Sequence, residues 1–248
     1  MKGIYEIAGH VMEIDSLFDR VHGYWEKYRA QGEAQFVVRT KPEDILFERE
    51  KSRRCAIEEG REPVKSSEEY LEELAVYRQV AEKMPEFDTF LFHGSCISVD
   101  GQGYLFTAKS GTGKSTHARL WREYLGDRVV MVNDDKPLIH VEEGKITVFG
   151  TPYNGKHGLG NKIAVPLKAI CLLERSGENW IKPTTKMDAF PMLVQQAYRP
   201  ANGTALARTV TLLDKMADTV RLYRLGVNMS PEAAEMAWRE LSSDIGQN

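Results

Sequence analysis

The sequence predicts an α/β protein in which a phosphate-loop domain follows a small β-containing N-terminal region. Three observations carry that expectation. Short apolar runs of strand type alternate with amphipathic helical stretches from about residue 66 onward. A glycine-rich loop stands between one such strand and one such helix at residues 108–115, and the pair Asp134-Asp135 ends the strand that comes next.

In chain order, Ile4 to Val11 and Gln35 to Arg39 look like strands, separated by polar stretches. The run Arg49-Glu50-Lys51-Ser52-Arg53-Arg54 reads as a solvated charged face. Ser66 and Glu69 have capping-box spacing, and Leu71, Leu74, Tyr77 and Ala81 then recur at helical intervals. The domain boundary is placed here, giving an N-terminal subdomain at 1–62 and a phosphate-loop domain at 63–248.

After Pro85 come three strand-like runs, Phe90 to Phe92, Ile97 to Val99 and Tyr104 to Phe106. The turn Asp100-Gly101-Gln102-Gly103 makes the last two a hairpin. Arg128 to Val132 reads as a buried strand, and Leu138 to Val141 with Lys145 to Phe149 as a second hairpin. Residues 150–161 hold four glycines and a proline and read as a loop. Ala169 to Leu173 is a further strand, and helical patterns lie near 186–198, 204–218 and 231–241. The last has Ser230 at its N-cap and Pro231 at its first helical position.

Composition narrows the function classes. The chain of 248 residues has 33 Lys and Arg against 36 Asp and Glu, a net charge of −3, so no basic field is available to hold a nucleic acid. No apolar run approaches the roughly 18 residues that would cross a bilayer, and nothing near Met1 reads as a signal peptide. The three cysteines, Cys55, Cys96 and Cys171, are far apart and lack CxxC spacing. A soluble cytoplasmic protein with no nucleic-acid or membrane partner is expected.

The chemistry concentrates in Ala108-x-x-x-x-Gly113-Lys114-Ser115, a phosphate-loop pattern with Ala in place of the usual first Gly. Gly111 and Gly113 let the backbone curl so that successive N–H groups face phosphate oxygens. Lys114 brings positive charge and Ser115 a hydroxyl for Mg²⁺. The helix that follows carries Ala118, Trp121 and Leu125 on one face and ends at Gly126. If neighbouring parallel strands bring their carboxyl ends to one sheet edge, Asp134 and Asp135 face this loop. One can then hold Mg²⁺ while the other accepts a proton from an attacking hydroxyl. His93, at the end of Phe90-Leu91-Phe92, is the third candidate.

These elements resemble the HPr kinase/phosphorylase family, whose fold is shared with phosphoenolpyruvate carboxykinases. The similar features are the His93-Gly94 strand start, the hairpin closing on Gly101 and Gly103, the loop Lys109-Ser-Gly-Thr-Gly-Lys-Ser115, and Asn133-Asp134-Asp135. Within that superfamily the arrangement looks closest to the HPr-kinase-like proteins of modified-peptide biosynthesis, such as lasso peptide kinases. The resemblance implies a mixed sheet, ATP or GTP as phosphoryl donor, Mg²⁺, and a serine-type hydroxyl on a peptide or small molecule as acceptor. Full HPr kinases assemble as oligomers, so a homo-oligomer is compatible with it.

By the same resemblance, backbone N–H groups from Ser110 through Thr112 to Thr116 cradle the β-phosphate region, and Lys114 balances charge on the moving γ-phosphoryl group. Ser115 and one of Asp134 and Asp135 organise the metal, the other aspartate is the base, and His93 modulates that base. Lys156, His157 and Arg175 are candidate phosphate or substrate contacts. His157-Gly158-Leu159-Gly160 is the only echo of the Arg-Gly-Leu-Gly segment of full HPr kinases, which speaks against action on HPr and against reverse phosphorolysis. Two other readings stand beside the kinase: a nucleotide-sensing module without turnover, and carboxykinase-like phosphoryl transfer.

Overall fold

The computed structural model describes residues 1–155 and 158–243. The chain divides into two compact units, Met1–Lys83 and Met84–Asn248.

In the first unit, β1 (Lys2–Ile7) and β2 (His10–Asp15) form an antiparallel hairpin. Next come α1 (Arg20–Tyr24), β3 (Phe36–Arg39) parallel to β2, α2 (Pro42–Glu58) and α3 (Glu68–Lys83). The single strand expected from Ile4 to Val11 is therefore two strands. Ala8 and Gly9 turn the chain between them with φ of 50° and 79°, which apolar periodicity cannot reveal. Tyr5, Ile7, Met12, Ile14 and Trp25 fill the core of this unit. The charged run Arg49–Arg54 lies on α2, where Arg53 pairs with Glu50 one turn away, as expected of a solvated face. Ser67, rather than Ser66, caps α3 through its hydroxyl, which accepts from Tyr70 N. The helix α3 packs on α2 and β3 within this unit, so the compact units divide at Lys83 and Met84.

The second unit is mixed α/β. Its elements are β4 (Thr89–Leu91), β5 (Ser95–Val99), β6 (Gln102–Thr107), α4 (Lys114–Leu125), β7 (Val129–Asn133), β8 (Leu138–Glu142) and β9 (Lys145–Phe149). There follow β10 (Ala164–Arg175), β11 (Trp180–Pro183), α5 (Lys186–Gln196), α6 (Gly203–Thr219), β12 (Arg221–Val227) and α7 (Glu232–Ser242). The strands β11 and β12 add to the expected set, and β10 is longer than the predicted Ala169 to Leu173.

The twelve-residue β10 organises the mixed sheet. Its first residues pair antiparallel with β9, extending the β4-β8-β9 ribbon, while its later residues pair parallel with β6 on one side and β12 on the other. Beyond β6 the order continues to β5 and then β7, both antiparallel joins. Alternation then sorts the core onto two faces. Tyr104 and Phe106 of β6 pack with Ala118 and Trp121 of α4 and with Ala233 and Ala237 of α7. Leu105 packs instead with Leu193 of α5 and Leu212 and Met216 of α6.

This topology positions the site. Because β5 runs against both β6 and β7, those two strands share a direction with β10 and β12. The carboxyl ends of β6, β7, β10 and β12 and the start of β5 therefore meet at one sheet edge. Asp134 and Asp135 follow β7 on that edge, but β6 and β7 are not the adjacent strands that a simple parallel arrangement predicts: β5 lies between them.

Candidate phosphate-binding site

The loop leaving β6 turns at Lys109 to Thr112, closed by Thr112 N donating to Lys109 O at 3.3 Å. Gly111 has φ of 77°, and Gly113, the N-cap of α4, has φ of 116°. Nothing lies within 4 Å of where a Cβ would stand on either residue, so it is backbone conformation and not crowding that demands glycine. The exposed Ser110 and Ser115 and the half-buried Thr112 and Thr116 frame the turn at the positive end of the α4 dipole.

Lys114 is buried, and its Nζ donates to Ala108 O at 3.1 Å. Burial, then the charge of Lys136, holds its ammonium below the ordinary lysine range, while Asp135 and Asp134 oppose that shift. The lysine of the loop thus feels both aspartates.

Asp134 is buried and accepts a hydrogen bond from Ser95 Oγ at 2.7 Å. Asp135 is more open, with 31% of its side chain exposed; His93 Nε2 lies 3.4 Å and Lys136 Nζ 3.3 Å from its Oδ1. Asn133 shapes the turn holding both acids. Its Oδ1 accepts from Asp135 N at 2.9 Å and Lys136 N at 2.7 Å, and its amide donates to Thr151 and Asn154. The Gly-rich segment after β9 therefore wraps the acidic turn, with Asp134 N donating to Leu159 O and Lys136 N to Tyr153 O.

His93 is held by backbone pairing of its N–H with Gln196 O at 2.8 Å and by a bond to the Gln196 side chain. Burial, reinforced by Lys136 and Lys114 and opposed by Asp135, pushes its pKa down to about 4. It is a neutral imidazole at pH 7, able to orient Asp135 but supplying no positive charge.

Arg175, at the end of β10, donates from Nη2 to Gly111 O at 2.5 Å and so touches the loop itself. Lys156 and His157 lie outside the described residues. Ser95, Asn133, Lys136 and Gln196 complete the arrangement and had been given no role from sequence. Lys136 adjoins the aspartates and could have been noticed; Gln196 is contributed by α5, more than 100 residues from His93 along the chain, with no local signal.

The donor set fits Mg²⁺ only in company with phosphates. No group of three or more His, Cys, Asp or Glu able to hold a metal occurs among the described residues. Ser115, Asp134 and Asp135 offer hard oxygens of the kind Mg²⁺ accepts when phosphate oxygens and waters complete its octahedron. No helix among the described residues is long and apolar enough to cross a membrane.

A family model described as SynChlorMet cassette protein ScmC matches residues 55–228. Among solved structures, the HPr(Ser) kinase/phosphatase from Coxiella burnetii aligns with 63% of this chain and 99% of its own, at 8% identity and a TM-score of 0.36. No curated protein sequence matches the chain.

Proposed function

The chain belongs to the family described as SynChlorMet cassette protein ScmC, and we propose that within it this protein is a Mg²⁺-dependent kinase. It transfers the γ-phosphoryl group of ATP or GTP to a hydroxyl, of serine type, on a peptide or small molecule. The family description names no reaction, so the reading rests on the site. Its carrying observation is that Lys114, at the mouth of a glycine loop, shares one sheet edge and one electrostatic environment with Asp134 and Asp135.

The backbone from Ser110 to Thr116 binds the β-phosphate region, and Lys114 exchanges its bond to Ala108 O for phosphoryl oxygens. Ser115 and the buried Asp134, aimed by Ser95, would hold Mg²⁺, which supplies charge neutralisation at the β- and γ-phosphoryl oxygens. Asp135, the more accessible carboxylate, accepts the proton of the attacking hydroxyl at its Oδ atoms, oriented by neutral His93. Lys136 adds a cation on the acceptor side, and Arg175 braces the loop at Gly111.

The test is product detection by mass spectrometry after incubation with MgATP or MgGTP and a panel of hydroxyl-bearing peptides and small molecules. A phosphorylated product that disappears in Asp135→Asn supports the reading. Tight nucleotide binding without product across the panel would mark a nucleotide-sensing module instead.

A further inference from the structure

The charged run Arg49–Arg54 takes no part in the phosphate-loop chemistry, yet it borders a cavity of about 590 Å³ that lies wholly within the first unit. One wall is α2, where Arg49, Ser52 and Arg53 fall on a single face at helical spacing. The other is the segment leading into α3, which brings Pro63, Val64 and Lys65. Three cations thus converge on a lining that holds one carboxylate, Glu68, in a chain whose net charge is −3.

These cations are open to exchange. Lys65 forms no ion pair among the described residues, and the hydroxyls of Ser52 and Ser66 in the same lining form no hydrogen bond there. Arg49 Nη2 lies 2.9 Å from Glu68 Oε1, with 47% and 59% of the two side chains exposed, and Arg53 is paired just as openly with Glu50. Exposed pairs of this kind contribute little to stability, so an incoming carboxylate can displace them. The Glu68 carboxylate on Arg49 is itself the contact that such a group would copy.

Size and lining choose among anions. A lone phosphate would occupy a small part of this volume and leave the apolar wall untouched, where Val64 is 82% exposed. An extended peptide sends alternate side chains to opposite sides. Acidic residues then run along Arg49 and Arg53 while the apolar residues between them cover Pro63 and Val64.

We propose that the first unit docks a peptide segment of alternating acidic and apolar residues, held in this cavity by Arg49, Arg53 and Lys65. The phosphate loop takes no part in this docking, so the proposal stands or falls independently of the kinase reading.

Fluorescence anisotropy of the full chain with a labelled peptide of alternating Glu and Leu tests it, beside a peptide of alternating Lys and Leu. The wild type should bind the acidic peptide at least about tenfold more tightly, and Arg53→Glu and Lys65→Glu should each weaken that binding about tenfold. Both side chains are exposed, so neither reversal disturbs the core, and thermal unfolding checks that the variants fold. Equal affinity for the two peptides, or wild-type affinity in either variant, overturns the proposal. Displacement of the acidic peptide by millimolar inorganic phosphate at constant ionic strength also overturns it, by making this a site for small anions. MgATP binding, measured separately on the same samples, reports on the phosphate loop alone.

Discussion

Ser95 Oγ donates to Asp134 Oδ1 at 2.7 Å across the pair β5 and β7, so a hydroxyl at the start of one strand aims the carboxylate at the end of another. Both residues are buried, and neither can turn away without leaving a polar atom unpaired. Ser95→Ala should therefore lower stability by about 1–3 kcal/mol and weaken the Mg²⁺ dependence of nucleotide binding while leaving Lys114 in place. Urea denaturation, with nucleotide titration at several Mg²⁺ concentrations, checks both parts.

The two aspartates differ in burial, and that difference predicts different losses. Asp135→Asn should reduce phosphoryl transfer by at least about a hundredfold, the usual worth of a general base, with nucleotide affinity close to wild type. Asp134→Asn should instead impair Mg²⁺-supported nucleotide binding as well as turnover. Single-turnover assays beside binding isotherms distinguish the two; identical behaviour of the variants would remove the division of labour between them.

Gly113 sits at φ of 116° and ψ of 24°, outside the region an L-residue occupies readily. Gly113→Ala should cost about 1–3 kcal/mol of backbone strain, relieved by moving the loop and not by unfolding. Nucleotide affinity should then drop tenfold or more while the melting temperature changes by only a few degrees.

What was legible in the sequence follows a physical rule. The glycine loop, α4 with its Gly126 end, the hairpin turning at Asp100-Gly101 and the acidic turn after β7 are all specified by residues close together in the chain. Local backbone chemistry is visible in local sequence. The β12 strand is not legible locally because Arg221–Val227 draws its identity from pairing with β10, roughly fifty residues away. In the same way Ser95, Gln196 and the Asn133 amide acquire their roles only when distant segments close on one another. The N-terminal hairpin reads as one strand by apolar pattern because its two-residue turn is only half marked: Gly9 is a turn residue, but Ala8 beside it carries no turn signal.

Gly150 joins β9 to the segment wrapped over the acidic turn. A Cβ there would meet Asn161 O and lie 2.7 Å from Val132 O, both backbone atoms with no side chain to give way. Gly150→Ala should destabilise by about 1–3 kcal/mol or more and displace the Asn154 and Thr151 contacts of Asn133, so turnover falls alongside stability. Thermal unfolding and turnover measured on the same samples should decline together, unlike Asp135→Asn, where only turnover declines.

Acid sensitivity follows from His93 and His117, whose folded-state pKa values lie near 4 and 3 against about 6.5 for the free side chain. Both are depressed by burial, so between pH 6.5 and about 4 the unfolded chain binds protons that the folded chain does not. Stability is then full above pH 6.5 and is lost as pH falls through that window, by up to about 1.4 kcal/mol per pH unit for each ring. Urea unfolding between pH 7.5 and 5, above the range where most carboxylates titrate, should show this decline, and His93→Gln should make it shallower. NMR titration should find the His93 ring neutral at pH 6; a ring already half protonated there would mean that Asp135 outweighs burial and that His93 carries charge into the active arrangement.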